Sequence, residues 1–296
     1  PWYGAIGIIS GGLNGGDSDN SSPWEGDKQG DTKGDRNSDS QSGPKGGDPV
    51  SMVNGGFHYN RNDFAVGSQK TPYGIEFSRL YKSESNLEDG PVGLGWFHNH
   101  QVSATVKSNG LVALASESPV QGAAGIVAIY VAVNLYNDLN KPMDKWVTVA
   151  LTNKWLMDQS VDNLVRISTM GDAYSFVKLP DGSYAKPLNH PSSLELVGGS
   201  YTLTTPQGVE YNFNSDGNIA SIVYPEGVTI TYSYTGGKLT SVTNGLGRTL
   251  TFTYTGDRIT SISDGNSRTV EFAYDASGNL ESATDPEGEE IGRAHV

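Results

Sequence analysis

The sequence predicts a mainly β fold, an antiparallel sheet of short strands and tight turns interrupted by one inserted helical hairpin. Three observations carry this. The 38 Gly among 296 residues lie far above ordinary usage while hydrophobic residues make up only 35%, which suits many turns. The 15 Tyr favour half-buried pleated surfaces. From Val209 onward an alternating apolar pattern recurs at a fixed interval.

Residues 1–46 are expected to carry no fold. Trp2–Leu13 is apolar and Gly-rich but shorter than the roughly 20 residues that span a bilayer. A remnant of a signal or anchor segment and a disordered stub are both open readings. Residues 14–48 are rich in Gly, Ser, Asp and Asn, too poor in apolar surface to offset their ordering entropy, and read as a flexible linker. Asp17 and Asp19 lie there without the spacing of a calcium loop, so they read as solvated charge.

Structure is expected to begin near Gly47-Asp48-Pro49-Val50, with residues 47–117 forming a first β region. Gly56–Tyr59 through Asp63–Val66 alternate as a strand pair. Gly74–Tyr81 is an alternating strand with Ile75, Phe77 and Arg79 on one face. Asp89-Gly90-Pro91 is turn chemistry. Gly93-Leu94-Gly95-Trp96 leads into a strand expected to run from Phe97 to Val106.

Residues 118–165 break the pattern. Ser118 is a good N-cap, with Pro119 at the first helical position and Gln121 three residues after the cap. Ala123–Tyr136 is almost wholly apolar. Asn140-Lys141-Pro142 ends that helix and opens a second, in which Met143, Trp146, Val147, Ala150, Leu151, Trp155 and Leu156 fall at helical spacing. The pair reads as a helical hairpin, expected to bury itself against the sheet in preference to entering a membrane.

Residues 166–290 are expected to form the repeat sheet. The triad Ile230, Tyr232, Tyr234 returns as Leu250, Phe252, Tyr254 and as Val270, Phe272, Tyr274, at steps of 20 residues. An earlier copy is Val209, Tyr211, Phe213. Each triad alternates with polar residues such as Thr231 and Ser233, which is strand periodicity. A second short strand carries Ile219 and Ile222, then Leu239 and Val242, then Ile259 and Ile262. Turn residues separate the strands: Pro225-Glu226-Gly227, Gly236-Gly237, Asn244-Gly245 and Asp264-Gly265. One repeat is therefore two strands and two turns. Its few apolar side chains fall short of its ordering entropy, so it must stack on its neighbours.

These residues carry a resemblance. Tyr274-Asp275-Ala276-Ser277-Gly278-Asn279-Leu280 and Gly217-Asn218-Ile219 resemble the YD repeat, though earlier copies have Tyr234-Thr235 and Tyr254-Thr255 in place of Tyr-Asp. Gly47-Asp48-Pro49-Val50, Phe77-Ser78-Arg79-Leu80-Tyr81 and Gly93-Leu94-Gly95-Trp96 resemble the N-terminal region of RHS proteins. The helical insert and Phe176–Tyr184 resemble a subgroup of them. The resemblance covers about residues 47–290 and implies the N-terminal part of an RHS/YD-repeat shell, a sheet that spirals into a hollow wall. In that family the shell commonly encloses a C-terminal toxin or effector and is exported by bacteria, and teneurins use a related shell in adhesion. The family's cleaving core is not matched here, so no catalytic residue is carried over. The expected partners are the chain's own downstream shell and effector, with cell-surface glycans as the alternative. The expected location is extracellular or on the bacterial surface. Ile291–Val296 resembles a translated sequencing adapter, and the natural protein is expected to continue past Glu290.

Chemistry is sparse. The chain has no Cys, which excludes disulfides and thiolate metal sites. A net charge of −13 without a basic cluster disfavours nucleic acid and anionic lipid, and membrane contact is not expected. No nucleophile elbow, phosphate loop or zinc-protease motif is present, so the expectation is a non-enzymatic scaffold without cofactor or metal. His98 and His100 read as a surface or edge-strand pair lacking a third ligand. Asp275, Asp285 and Glu287 read as turn residues rather than paired catalytic acids. Trp96 reads as a core anchor. The repeat positions Ile230, Tyr232, Tyr234, Leu250, Phe252, Tyr254, Val270, Phe272 and Tyr274 are the residues on which the expected wall depends.

Overall fold

A computed structural model of the chain describes residues 45–46, 50–51, 55–67, 74–110, 119–137, 143–187 and 190–291. The linker expected around Asp17 and Asp19, the N-cap expected at Ser118, the residues Asn140–Pro142 and those after Ile291 lie outside the described residues.

The two-residue strands β1 (Lys45–Gly46) and β2 (Val50–Ser51) pair with each other. Next come β3 (His58–Val66) and β4 (Ile75–Lys82), then β5 (Asp89–Gly90) and β6 (Gly93–Leu94) around a turn at Pro91, then β7 (Trp96–His98). A three-stranded sheet runs β3-β4-β7. The strand pair expected between Gly56 and Val66 is one strand. A bulge between Asn62 and Phe64 resets its register, and the Asn62 carboxamide accepts the Phe64 N–H. No turn is needed.

The strand expected from Phe97 to Val106 is two. A turn at Asn99–His100 ends β7, with the Gln101 N–H bonded to the His98 carbonyl, and β8 (Val102–Lys107) joins a different sheet. The helices α1 (Pro119–Tyr136) and α2 (Met143–Asp158) follow, then β9 (Leu164–Thr169), β10 (Asp172–Lys178) and β11 (Tyr184–Ala185). β8 pairs with β9 from Val102↔Thr169 to Lys107↔Leu164, so the helices are an insertion in the loop of a β-hairpin. Asn109 and Asn163 close its base with two hydrogen bonds of 2.9 Å. The boundary expected at residue 166 is therefore displaced. β9 to β11 continue the sheet of β8, in the order β11-β10-β9-β8, and are not part of the repeat sheet.

The helices also differ from expectation. They pack on one another, but the bulk of their large apolar side chains, Tyr130 and Leu151 among them, face away from any sheet and are exposed.

The repeat sheet has eleven strands in sequence order, each antiparallel to the next. They are β12 (Ser193–Val197), β13 (Ser200–Thr204), β14 (Glu210–Phe213), β15 (Ile219–Val223), β16 (Thr229–Thr235), β17 (Lys238–Thr243), β18 (Thr249–Thr255), β19 (Arg258–Ser263), β20 (Thr269–Tyr274), β21 (Leu280–Thr284) and β22 (Glu290–Ile291). The fold is mainly β, and the sheet does not close into a barrel.

Candidate functional site: the covered face of the repeat sheet

Two local devices put the apolar side chains of each repeat on one face. The first is a bulge. Ser233 lies opposite Ser241 while Tyr234 lies opposite Leu239, leaving Thr240 as an extra residue. The same step recurs at Thr253/Tyr254, Ala273/Tyr274 and Asn212/Phe213. Residues three apart point to opposite faces of a regular strand. The extra residue brings Leu239 and Val242, or Ile259 and Ile262, to the same buried face. Thr240 and Thr260 use their hydroxyls to hold the carbonyls of Ser233 and Thr253 across the bulge.

The second device is the turn. Gly236 and Gly237 both take positive φ (58° and 79°), which a two-residue hairpin demands. At five other turns an Asn or Asp side chain accepts the N–H groups two and four residues on. This is seen at Asn214, Asn244, Asp264, Asp275 and Asp285. Asp275 and Asp285 are thus spent on backbone amides, and Glu287 donates one of them.

Of the nine repeat positions, Ile230, Tyr232, Leu250, Phe252, Val270 and Phe272 are buried. Tyr234, Tyr254 and Tyr274 are half-buried against the same core. Burial pushes the Tyr254 hydroxyl up to about 12 and raises Tyr232 and Tyr234 further.

The N-terminal β region covers this face. Phe77 is fully buried, with its ring 6.0 Å from Phe252 and 5.9 Å from Phe272. Arg79 makes a two-bond pair with Asp63 (2.6 and 3.1 Å), and both side chains are buried. Its guanidinium lies 4.6 Å from the Trp96 ring centre and 5.5 Å from that of Phe272. Trp96 is a core residue, also packed on Tyr59 and Tyr81. Backbone bonds stitch the seam. The Pro91 carbonyl accepts the Ile259 N–H at 2.8 Å, the Gly217 carbonyl accepts the Ala104 N–H at 2.7 Å, and Arg258 reaches the Gly90 carbonyl and Asp89. Gly217 has φ of 80°, and a Cβ there would fall 2.1 Å from the Ala104 oxygen.

His98 and His100 are not at the surface. Both are buried in this seam, with ring centres 6.4 Å apart. His100 pairs through Nε2 with the Glu76 carbonyl (2.8 Å) and through Nδ1 with the Tyr232 hydroxyl (3.3 Å). The His98 Nδ1 has no protein partner. Burial, with the neighbouring His100 adding to it, drives His98 down to about 3, and burial drives His100 to about 4, so both are neutral at pH 7. They do not share a strand, since β7 ends at His98 and His100 lies in the turn that follows. Their burial had no local signal, because it depends on Phe77 from the neighbouring β4 and on Phe252 from a strand far along the chain.

A cavity of about 340 Å³ opens at the seam beside His98, Gln101, Asn218, Tyr234 and Tyr254. Among the described residues no group of three His, Asp or Glu is placed to hold a metal ion. The arrangement is a wall with a fitted cover.

The model of the RHS repeat matches residues 213–249 and 255–290, the segments built from the bulged strand pairs. A domain of unknown function, DUF6531, matches residues 47–120, the covering region. The chain is an RHS-repeat protein. No curated protein matches it. In this RHS chain the second match ends at the base of the helical insertion, and the covering domain includes β8, the first strand of the hairpin that carries it.

Proposed function

We propose that this chain is a non-enzymatic scaffold, the N-terminal part of an exported bacterial RHS shell that encloses or presents a C-terminal effector or toxin. The observation that carries the reading is the uniform growth of the sheet. Each 20-residue copy adds two strands with the same register and bulge, and buries the same face. A wall built this way lengthens without redesign. The covering region closes over its inner face, with Phe77 and Arg79 filling the space over the copies that carry Phe252 and Phe272. Its partners are its own downstream repeats and effector, at an extracellular or surface location.

The alternative, an adhesion module that binds glycans on the sheet, needs aromatic platforms on the uncovered face. That face carries Thr231, Ser233, Thr251, Thr253, Glu271 and Ala273 along β16, β18 and β20, which favours the scaffold. Electron cryomicroscopy of the full-length protein tests the reading. A wall continuing past Glu290 around a C-terminal domain is expected. Repeats that remain an open sheet with that domain outside would overturn it.

A further inference from the structure

The helical hairpin turns its side chains the wrong way for a unit that sits in water. On α1 the buried positions are small: Gly122, Gly125, Ala128 and Ala132. Ile126, Val127, Tyr130 and Val133 point outward and are more than half exposed. On α2, Val149 is buried while Met143, Val147, Leu151 and Met157 are more than half exposed. Helices that associate in water bury their large apolar residues. Where the surroundings are themselves apolar, small residues line the helix seam and large ones face out.

The distribution also says what covers the hairpin. At about 100° per residue, Ile126, Val127, Tyr130, Val131 and Val133 spread over an arc of roughly 160° on the side of α1 away from Gly125, Ala128 and Ala132. An arc this wide offers no Asp, Glu, Lys or Arg to the polar rim of a protein partner, which favours hydrocarbon. From Pro119 to Tyr136 there is no charged residue. α2 carries Asp144, Lys145, Lys154 and Asp158, which sum to zero, and Lys154 pairs with Asp158 at 2.7 Å. The aromatic rings Tyr136 and Trp146 stand edge-to-face at 5.6 Å near the free end. Among the described residues no helix is long and apolar enough to cross a membrane. The connection between the helices holds Asp138 and Lys141, which are costly to carry through hydrocarbon.

We propose that residues 119–158 form a lipid-docking hairpin that seats in one leaflet of a bilayer and holds the repeat sheet at its surface. The uncharged balance of the hairpin and the −13 of the whole chain select a zwitterionic surface over an anionic one. The stem is fixed by the β8–β9 ladder and the Asn109–Asn163 bonds, so seating the helices positions the β body.

Flotation of the whole chain with phosphatidylcholine vesicles tests this. The chain is expected to rise with the vesicles. A variant with residues 119–158 replaced by a short Gly-Ser loop keeps the β8–β9 pair and is expected to stay at the bottom. The triple variant Ile126→Lys, Tyr130→Lys, Leu151→Lys is expected to float at least tenfold less while keeping its far-ultraviolet circular dichroism. A wild-type chain that stays at the bottom overturns lipid docking, as does flotation that survives loss of the hairpin. A stable dimer in light scattering that the triple variant disperses would assign the apolar surface to a second copy instead.

Discussion

The repeat sheet and the helical hairpin are both supplied with large apolar side chains, and they dispose of them in opposite ways. In the sheet, Leu250, Ile259, Ile262 and Val242 are almost wholly hidden, because bulges and turns bring them to one face and the N-terminal region covers it. In the hairpin, Ile126, Val127 and Tyr130 are turned outward around a seam of Gly and Ala. Apolar content alone therefore does not say what a segment packs against. The size of the residues at the contact does: large residues at the seam mark a core assembled in water, and small ones mark a unit whose large residues face something else.

The contrast is sharpest in paired truncations. Phe77→Ala removes the ring that joins Phe252, Phe272, His98 and His100, and is expected to cost about 3–5 kcal/mol in urea unfolding. Tyr130→Ala, at 70% exposure in water, is expected to change stability by no more than about 0.5 kcal/mol. Equal losses at the two sites would break the comparison.

Asp63→Ala leaves Arg79 buried without its carboxylate, and a loss of about 3–5 kcal/mol is expected from the same unfolding curves. A near-neutral result would mean that the rings of Trp96 and Phe272 hold the cation unaided.

Acid should open the cover next. An unfolded chain protonates both imidazoles near their ordinary value, the folded chain only near 3 for His98 and 4 for His100. The unfolded state then holds more protons, so stability falls as pH drops from about 6.5 towards 4, by a few kcal/mol in order of magnitude. The melting temperature should fall across that window, and His98→Gln should flatten the fall. A wild-type profile already flat between pH 6.5 and 4 would contradict the buried placement.

Smaller effects separate seam glycines from open ones. Gly217→Ala drives a Cβ into the Ala104 carbonyl as well as straining a positive φ, and about 2 kcal/mol or more is expected. Gly227→Ala meets nothing within 4 Å and keeps only the strain, about 1 kcal/mol. Thermal melts of the two variants should differ in that order.

Much of the repeat sheet was legible in the sequence, because strand and turn chemistry are local. Alternation marked the triads, and Gly or Asx marked the turns. The spacing of three between Leu239 and Val242 was visible, but its cause was not. A bulge at Thr240 is a property of the pair of strands, since it needs Ser233 opposite to define it. The same limit hid the extent of the insertion. β8 and β9 are separated in sequence by both helices, and only their pairing shows that they form one hairpin. Burial of His98 and His100 was hidden because it is completed by Tyr232 and Phe252, repeat residues more than a hundred positions further along the chain.

The dependence of the wall on that cover is the central claim, and amide hydrogen exchange tests it most directly. Protection across β14 to β20 should be compared between the whole chain and an isolated segment of residues 190–291. The isolated segment is expected to exchange at least tenfold faster at Leu250, Phe252, Ile259 and Ile262. Equal protection in the two chains would mean that the repeats stand without their cover.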